Sequence, residues 1–185
     1  MTYPAAEPRP KLTHIGQGSF EVSGDPATVM TTILGSCVSV MLHDPKARIG
    51  GMNHFLLPEQ PEGRDAGSSM IFGVHSMELL INAMMKQGAN RKRFEAKLFG
   101  GAKIVAGLSK IGERNAEFAH EFLRSENIPC LAESLGGTHA RRIRFWPSTA
   151  RVRQMKVVDP SIALSEQKQT RPKIKPQDDS VELFT

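Results

Sequence analysis

The chain has 185 residues, a formal net charge of +5 and two cysteines. That length supports one hydrophobic core without a metal or disulfide staple, and two cysteines are too few for a disulfide framework. The opening MTYPAAEPRPKLTHIG lacks the basic-then-apolar shape of a secretory leader. No apolar run approaches the roughly 20 residues needed to span a bilayer, so the expectation is a cytoplasmic protein with free thiols and no membrane insertion.

Residues 1–11 are expected to be a flexible N-terminus ahead of one domain over residues 12–158. From Ser19 to Leu57, short apolar and β-branched runs (FEVS, TVMTTIL, CVSVML, MNHFLL) alternate with Gly-Asp-Pro, Gly-Ser and Asp-Pro punctuation, the pattern of successive strands. From Phe72 to Lys86 the period turns helical: Met77, Leu80, Ile81, Met84 and Met85 share a face as core filler, and Gly88 stands where a C-terminal cap belongs. A strand over FEAKLFGG, continuing through Ala102 to Val105, is followed by a second helix. That helix carries Ile111, Asn115, Phe118, Ala119, Phe122 and Leu123 and ends near Asn127, before Pro129. Ile128 to Ala132, Arg142 to Trp146 and Arg151 to Val157 read as three more strands. The fold class is therefore α/β: a layered β core of mixed and antiparallel strands flanked by helices, not a doubly wound sheet. Residues 159–185, rich in Pro, Lys, Gln and Asp, read as a disordered tail that ends in a short apolar segment from Val181 to Phe184.

Several features are weighed before any site is chosen. Arg141, Arg142, Arg144, Arg151, Arg153 and Lys156 form a basic cluster, which can meet nucleic acid, an acidic protein face or only water. With Trp146 the only tryptophan and Tyr3 the only tyrosine, stacking platforms are scarce and no nucleic-acid partner is expected. Phe99-Gly100-Gly101-Ala102-Lys103 lacks the Gly-Lys-Ser/Thr ending of a phosphate loop and reads as close backbone packing. His14, His43, His75, His120 and His139 show no zinc-ligand spacing with one another or with Cys130, so neither metal nor cofactor is expected. Cys130, between Ile-Pro and Leu-Ala, reads as core.

Cys37 is the sharper feature, because it follows a Gly35-Ser36 break at the mouth of an apolar run. It is open to two readings, a small core residue or a nucleophile. A hairpin loop centred between Pro45 and Lys46 sets His43 opposite Arg48 and, continuing the ladder, Cys37 opposite His54. Opposed residues share a face with Cβ atoms about 4.5–5.5 Å apart, whereas a bulge at Gly50-Gly51 would turn His54 away. Thr31 lies about 20 Å from Cys37 along a straight strand, and the two meet only if the chain doubles back at Gly35-Ser36. By spacing alone Thr31 is an ordinary strand threonine. A tight turn at Gly35-Ser36 would also offer backbone N–H groups to a reacting oxygen. An imidazolium beside Cys37 would favour its thiolate, the species that attacks an amide or ester carbonyl.

Thr31-Thr32-Ile33-Leu34-Gly35-Ser36-Cys37, Gly51-Met52-Asn53-His54 with Leu57-Pro58, and Lys97-Leu98-Phe99-Gly100-Gly101-Ala102 resemble the chemoreceptor glutamine deamidase family CheD. Ile111-Gly112-Glu113-Arg114-Asn115 and Gly136-Gly137 leading into Arg142-Ile143-Arg144-Phe145 extend the resemblance over roughly residues 12–158. It implies hydrolysis of selected glutamine side chains on methyl-accepting chemotaxis receptors, with Cys37 as nucleophile, His54 as general base and acid, and Thr31 rather than Thr32 as the orienting hydroxyl. Gly35 and Ser36 would support the oxyanion. It also implies a fold related to deamidating bacterial toxins, a location at receptor arrays, and a CheC-type phosphatase as a further partner. The second reading it allows is a non-catalytic adaptor that binds receptors or that phosphatase. Ser134 and Ala150 depart from the family pattern, at positions where an acidic residue and a turn glycine are expected.

Overall fold

The structure, a computed structural model, describes residues 10–58, 67–104 and 109–157. Residues 1–9 of the N-terminus expected to be flexible over 1–11, the strand extension at Val105, and the tail with its segment from Val181 to Phe184 lie outside them, whereas Lys11 of that expected stretch lies in a strand paired with Thr28. Among the described residues the strands are β1 (Lys11–His14), β2 (Phe20–Ser23), β3 (Thr28–Leu34), β4 (Val38–Asp44), β5 (Ile49–Asn53), β6 (Glu95–Gly100), β7 (Cys130–Leu135), β8 (Ala140–Trp146) and β9 (Arg151–Val157). The helices are α1 (Gly67–Lys86) and α2 (Ser109–Ser125). Four strands form one sheet in the order β1-β3-β8-β9, and five form another in the order β2-β5-β4-β6-β7.

Alternation along β4 decides how these layers stack. Val38, Val40 and Leu42 face α1 and α2, where Met77, Leu80, Ile81, Met84, Phe118 and Phe122 complete one core. Cys37 and Met41 face the other way, with Met52 and Phe99, against Met30, Leu34, Ile143 and Phe145 of the four-stranded sheet. A strand covered on both faces reads as a continuous apolar run, and all seven residues of β4 are buried. Both helices pack on the five-stranded sheet, α1 over β2 and β5 and α2 over β4 and β6. The result is three layers of sheet, sheet and helices, the layered mixed architecture expected.

Local chemistry explains where expectation and structure part. β1 was not anticipated, because KLTH has no apolar alternation; it exists by parallel pairing with β3. α1 begins at Gly67 rather than near Phe72, and its exposed Met70, Ile71, Phe72 and Val74 interrupt the one-sided pattern that marks the rest. Met85 is exposed, not core. So is Cys130, which sits on the edge strand β7, and burial of its flank together with nearby Glu133 raises its thiol pKa. Ala150 has φ 56°, the left-handed conformation that a turn glycine would suit.

The β4–β5 hairpin differs from expectation by two residues. Asp44 pairs with Ile49 around the four-residue loop from Pro45 to Arg48, with Arg48 at φ 56°. Asp44 Oδ1 accepts from Lys46 N (3.0 Å) and Ala47 N (3.1 Å), and its carbonyl accepts from Arg48 N (2.8 Å). Asp44 is fully buried yet charged: Arg93 donates to it at 2.6 and 2.9 Å and Asn90 N at 2.8 Å, which hold the carboxyl well below the usual carboxylate range. The Gly50-Gly51 step carries no bulge.

Candidate active site

The register places Cys37 and His54 on one face but not opposite each other. Val38 pairs with Phe55 through two backbone bonds of 3.0 and 2.9 Å, so the ladder sets Cys37 against Leu56 and His54 against Ser39. A shift of two residues preserves the face, because side chains alternate with period two. Cys37 and His54 are therefore diagonal neighbours on the inter-sheet side, 4% and 3% exposed. Between the Val38–Phe55 and Met41–Met52 pairs, Asn53 replaces ladder bonds with its own groups: its Oδ1 accepts from Val40 N (2.9 Å) and its carbonyl from Ser39 Oγ (2.5 Å). The His54 backbone turns to the β1–β2 loop instead, donating to Ser19 O (3.0 Å) and accepting from Gly18 N (2.7 Å).

The hydroxyl on the imidazole belongs to Thr32, not Thr31. Thr31 and Thr32 project to opposite faces of β3; Thr31 Oγ1 donates to Ile143 O at 2.8 Å and does not meet His54. Thr32 Oγ1 donates its one proton to Ile15 O (2.7 Å) and lies 2.9 Å from His54 Nδ1. With that proton spent, the hydroxyl can only accept from Nδ1–H, and Ile15 O at 3.3 Å accepts from the same group. The network assigns the proton to Nδ1 and leaves the lone pair on Nε2, which is buried and has no hydrogen-bond partner among the described residues. Burial lowers the His54 pKa to about 4, opposed by the Ile15 carbonyl and assisted by His14. The ring is thus neutral near pH 7, and the expected resident imidazolium is replaced by a neutral base.

Three outside groups hold the turn that leads into Cys37. Ala102 N donates to Gly35 O, Asn115 Nδ2 to Ser36 O and Gly101 N to Cys37 O, each at 2.8 Å. The approach requires glycine at Gly100, where φ is 119° and a Cβ would lie 2.1 Å from Cys37 O. That explains the Gly-Gly pair as backbone packing. Asn115 is fully buried on α2, and its Oδ1 also accepts from Leu57 N at 2.9 Å. One amide thus ties the turn before Cys37 to the segment after His54. Sequence reasoning gave Asn115 no role; the signal was a polar residue within the apolar face of a helix. Cys37 Sγ donates to the carboxamide oxygen of Gln17 at 3.6 Å, so a carboxamide fits beside the thiol.

An orphaned ring nitrogen does not mark a site by itself. His43 is also buried, with neither ring nitrogen in a close hydrogen bond among the described residues, although the Ser148 backbone lies near enough to oppose the lowering of its pKa by burial. Among the described residues no group of three or more His, Cys, Asp or Glu side chains is placed to hold a metal, and no helix is long and apolar enough to cross a membrane.

A three-layer α/β protein with a buried thiol, a hydroxyl-anchored neutral imidazole and a braced turn has the parts of a cysteine amidohydrolase. Comparison with known proteins identifies which. Residues 56–156 match the family described as CheD chemotactic sensory transduction. A protein of Caulobacter sp. (strain K31), named probable chemoreceptor glutamine deamidase CheD, is 49% identical over 92% of both chains. Relatives of the same name from Caulobacter vibrioides (52% identical, 76% of this chain and 75% of that one) and Agrobacterium fabrum (49%, 94% and 97%) agree. The chain belongs to the CheD family. Among solved structures, a Neisseria meningitidis protein is 14% identical over 71% of this chain and 64% of its own, with a TM-score of 0.42, a likeness too remote to bear on function.

Proposed function

We propose that this protein hydrolyses the carboxamide of glutamine side chains on chemotaxis receptors, converting glutamine to glutamate and ammonia. The observation that carries the reading is the Thr32–His54 pair on the same face as Cys37, in a chain about half identical to relatives named for that activity. His54 Nε2 takes the thiol proton as Cys37 Sγ attacks the amide carbon. The backbone of the Gly35–Ser36–Cys37 turn, made rigid by its three carbonyl bonds, stabilises the oxyanion. The proton passes from Nε2 to the leaving nitrogen, ammonia departs and a thioester remains. Water, deprotonated by the same Nε2, then cleaves the thioester and restores the thiol. Thr32 takes the orienting role first assigned to Thr31, because it fixes the ring tautomer that leaves Nε2 basic.

The test is peptide-mass analysis of a cytoplasmic receptor fragment incubated with the protein. We expect a gain of about one dalton at individual glutamines, lost by at least a thousandfold in rate with Cys37→Ala. Undiminished conversion by Cys37→Ala removes the reading, and so does absence of any gain with the folded native protein. The adaptor reading, which includes a phosphatase partner, expects Cys37→Ala to keep its cellular role.

A further inference from the structure

Among the described residues no helix covers the face of the four-stranded sheet that looks away from the site. Its register is explicit: Arg144 stands opposite Arg153, Arg142 opposite Met155 and Trp146 opposite Arg151, with Thr31 and Ile33 of β3 beside Arg144 and Arg142 on the other flank. Arg144, Arg151 and Arg153 are exposed and Arg142 is half-buried. None of the four strands contains Asp or Glu. Among the described residues no carboxylate pairs with any of these four arginines. Like charges directly opposed across a ladder weaken a sheet, so the Arg144–Arg153 pair costs stability that nothing within the sheet offsets. Arg151 lies over the Trp146 ring at 4.0 Å, which holds its guanidinium beside a hollow of about 500 Å³ bounded by Leu12, Val29 and Arg144. Arg141, by contrast, turns inward to the carbonyls of Ser134 and Gly136 and is no part of this face.

We infer that this arginine face docks an acidic stretch of the polypeptide substrate, with an apolar side chain of that stretch entering the Trp146 hollow. Arginine forks match carboxylates in pairs, and a carboxylate between Arg144 and Arg153 relieves their repulsion. β3 then serves both events, with Thr32 on one side orienting His54 and Thr31 on the other forming part of the docking floor. Identifying the acidic chain with the substrate rests on the deamidase reading; the docking chemistry does not.

The experiment separates the two. Labelled poly-L-glutamate is titrated by fluorescence anisotropy against the native full chain and against Arg144→Glu and Arg153→Glu. Native protein should bind it with an affinity that falls steeply with salt, and each variant should lose about tenfold or more. Each variant should melt no lower than the parent, since it replaces a like pair by an opposite one, and iodoacetamide should alkylate Cys37 at the parental rate. With a receptor fragment the variants should raise KM and leave kcat within about twofold. Equal poly-glutamate affinity in variants and parent overturns the proposal. So does tighter binding of generic duplex DNA than of poly-glutamate, or self-association of the native chain through this face. Retained poly-glutamate binding with no ammonia release from any receptor fragment would instead remove the deamidase reading and leave the docking face standing.

Discussion

The two ends of β4 handle a buried ionisable group in opposite ways. At one end Asp44, fully buried, carries its charge because a guanidinium and three backbone N–H groups engage both carboxylate oxygens. Near the other end, across the ladder from Ser39, His54 is also buried and held through Nδ1, while Nε2 has no hydrogen-bond partner among the described residues. The first arrangement satisfies every strong acceptor and fixes a turn. The second withholds a partner from one atom, on the face that carries Cys37, and keeps the ring neutral. Full satisfaction serves stability; a placed deficit serves chemistry.

This contrast separates two acid transitions. His54 titrates near 6.5 when unfolded and near 4 when folded, so the unfolded chain binds the extra proton between those values. Stability is then whole above pH 6.5 and falls by about 3 kcal/mol as pH drops toward 4. Asp44 acts in the same direction in a lower window: its folded pKa lies below the ordinary 3.8, so its contribution is present above 3.8 and fades below it. Urea unfolding at pH 7 and pH 4.5 checks the first window. Replacing His54 by Gln should remove most of the loss between those pH values, and an unchanged loss would break the contrast.

Asp44→Asn should cost about 2 kcal/mol at pH 7, less than a fully buried pair because Arg93 is partly exposed. The same variant should deamidate receptor fragments at a near-normal rate per folded molecule. A large fall in kcat would mean that the two ends are not independent. The smallest effect concerns neighbouring residues: Thr32→Val should lower kcat/KM about tenfold, or roughly 1.4 kcal/mol, whereas Thr31→Val should leave kcat nearly untouched. The reverse order would return the orienting role to Thr31.

Much of this was legible in residue order, and the losses have a physical pattern. The layered class, both helices and the sharing of a face by Cys37 and His54 follow from periodicity, which is local. The two-residue register error arose because Asp44 captures Lys46 N and Ala47 N and moves the turn centre, a choice between neighbouring amides that alternation does not report. Face parity survived that error, but parity could not say which of two adjacent threonines meets the imidazole until Ile15 O, just beyond β1, was in place. β1 was itself invisible, since KLTH pairs only because β3 offers an edge. Asn115 was seen only as a helix position, because its two partners lie 58 and 79 residues away.

The central claim is a neutral imidazole with its proton on Nδ1. Imidazole 15N NMR of the native chain, with His54 assigned by comparison with His54→Gln, reads it directly. At pH 7 the account requires one protonated and one bare ring nitrogen, with titration near 4. A ring protonated at pH 7 on both nitrogens, or on Nε2 alone, would contradict it.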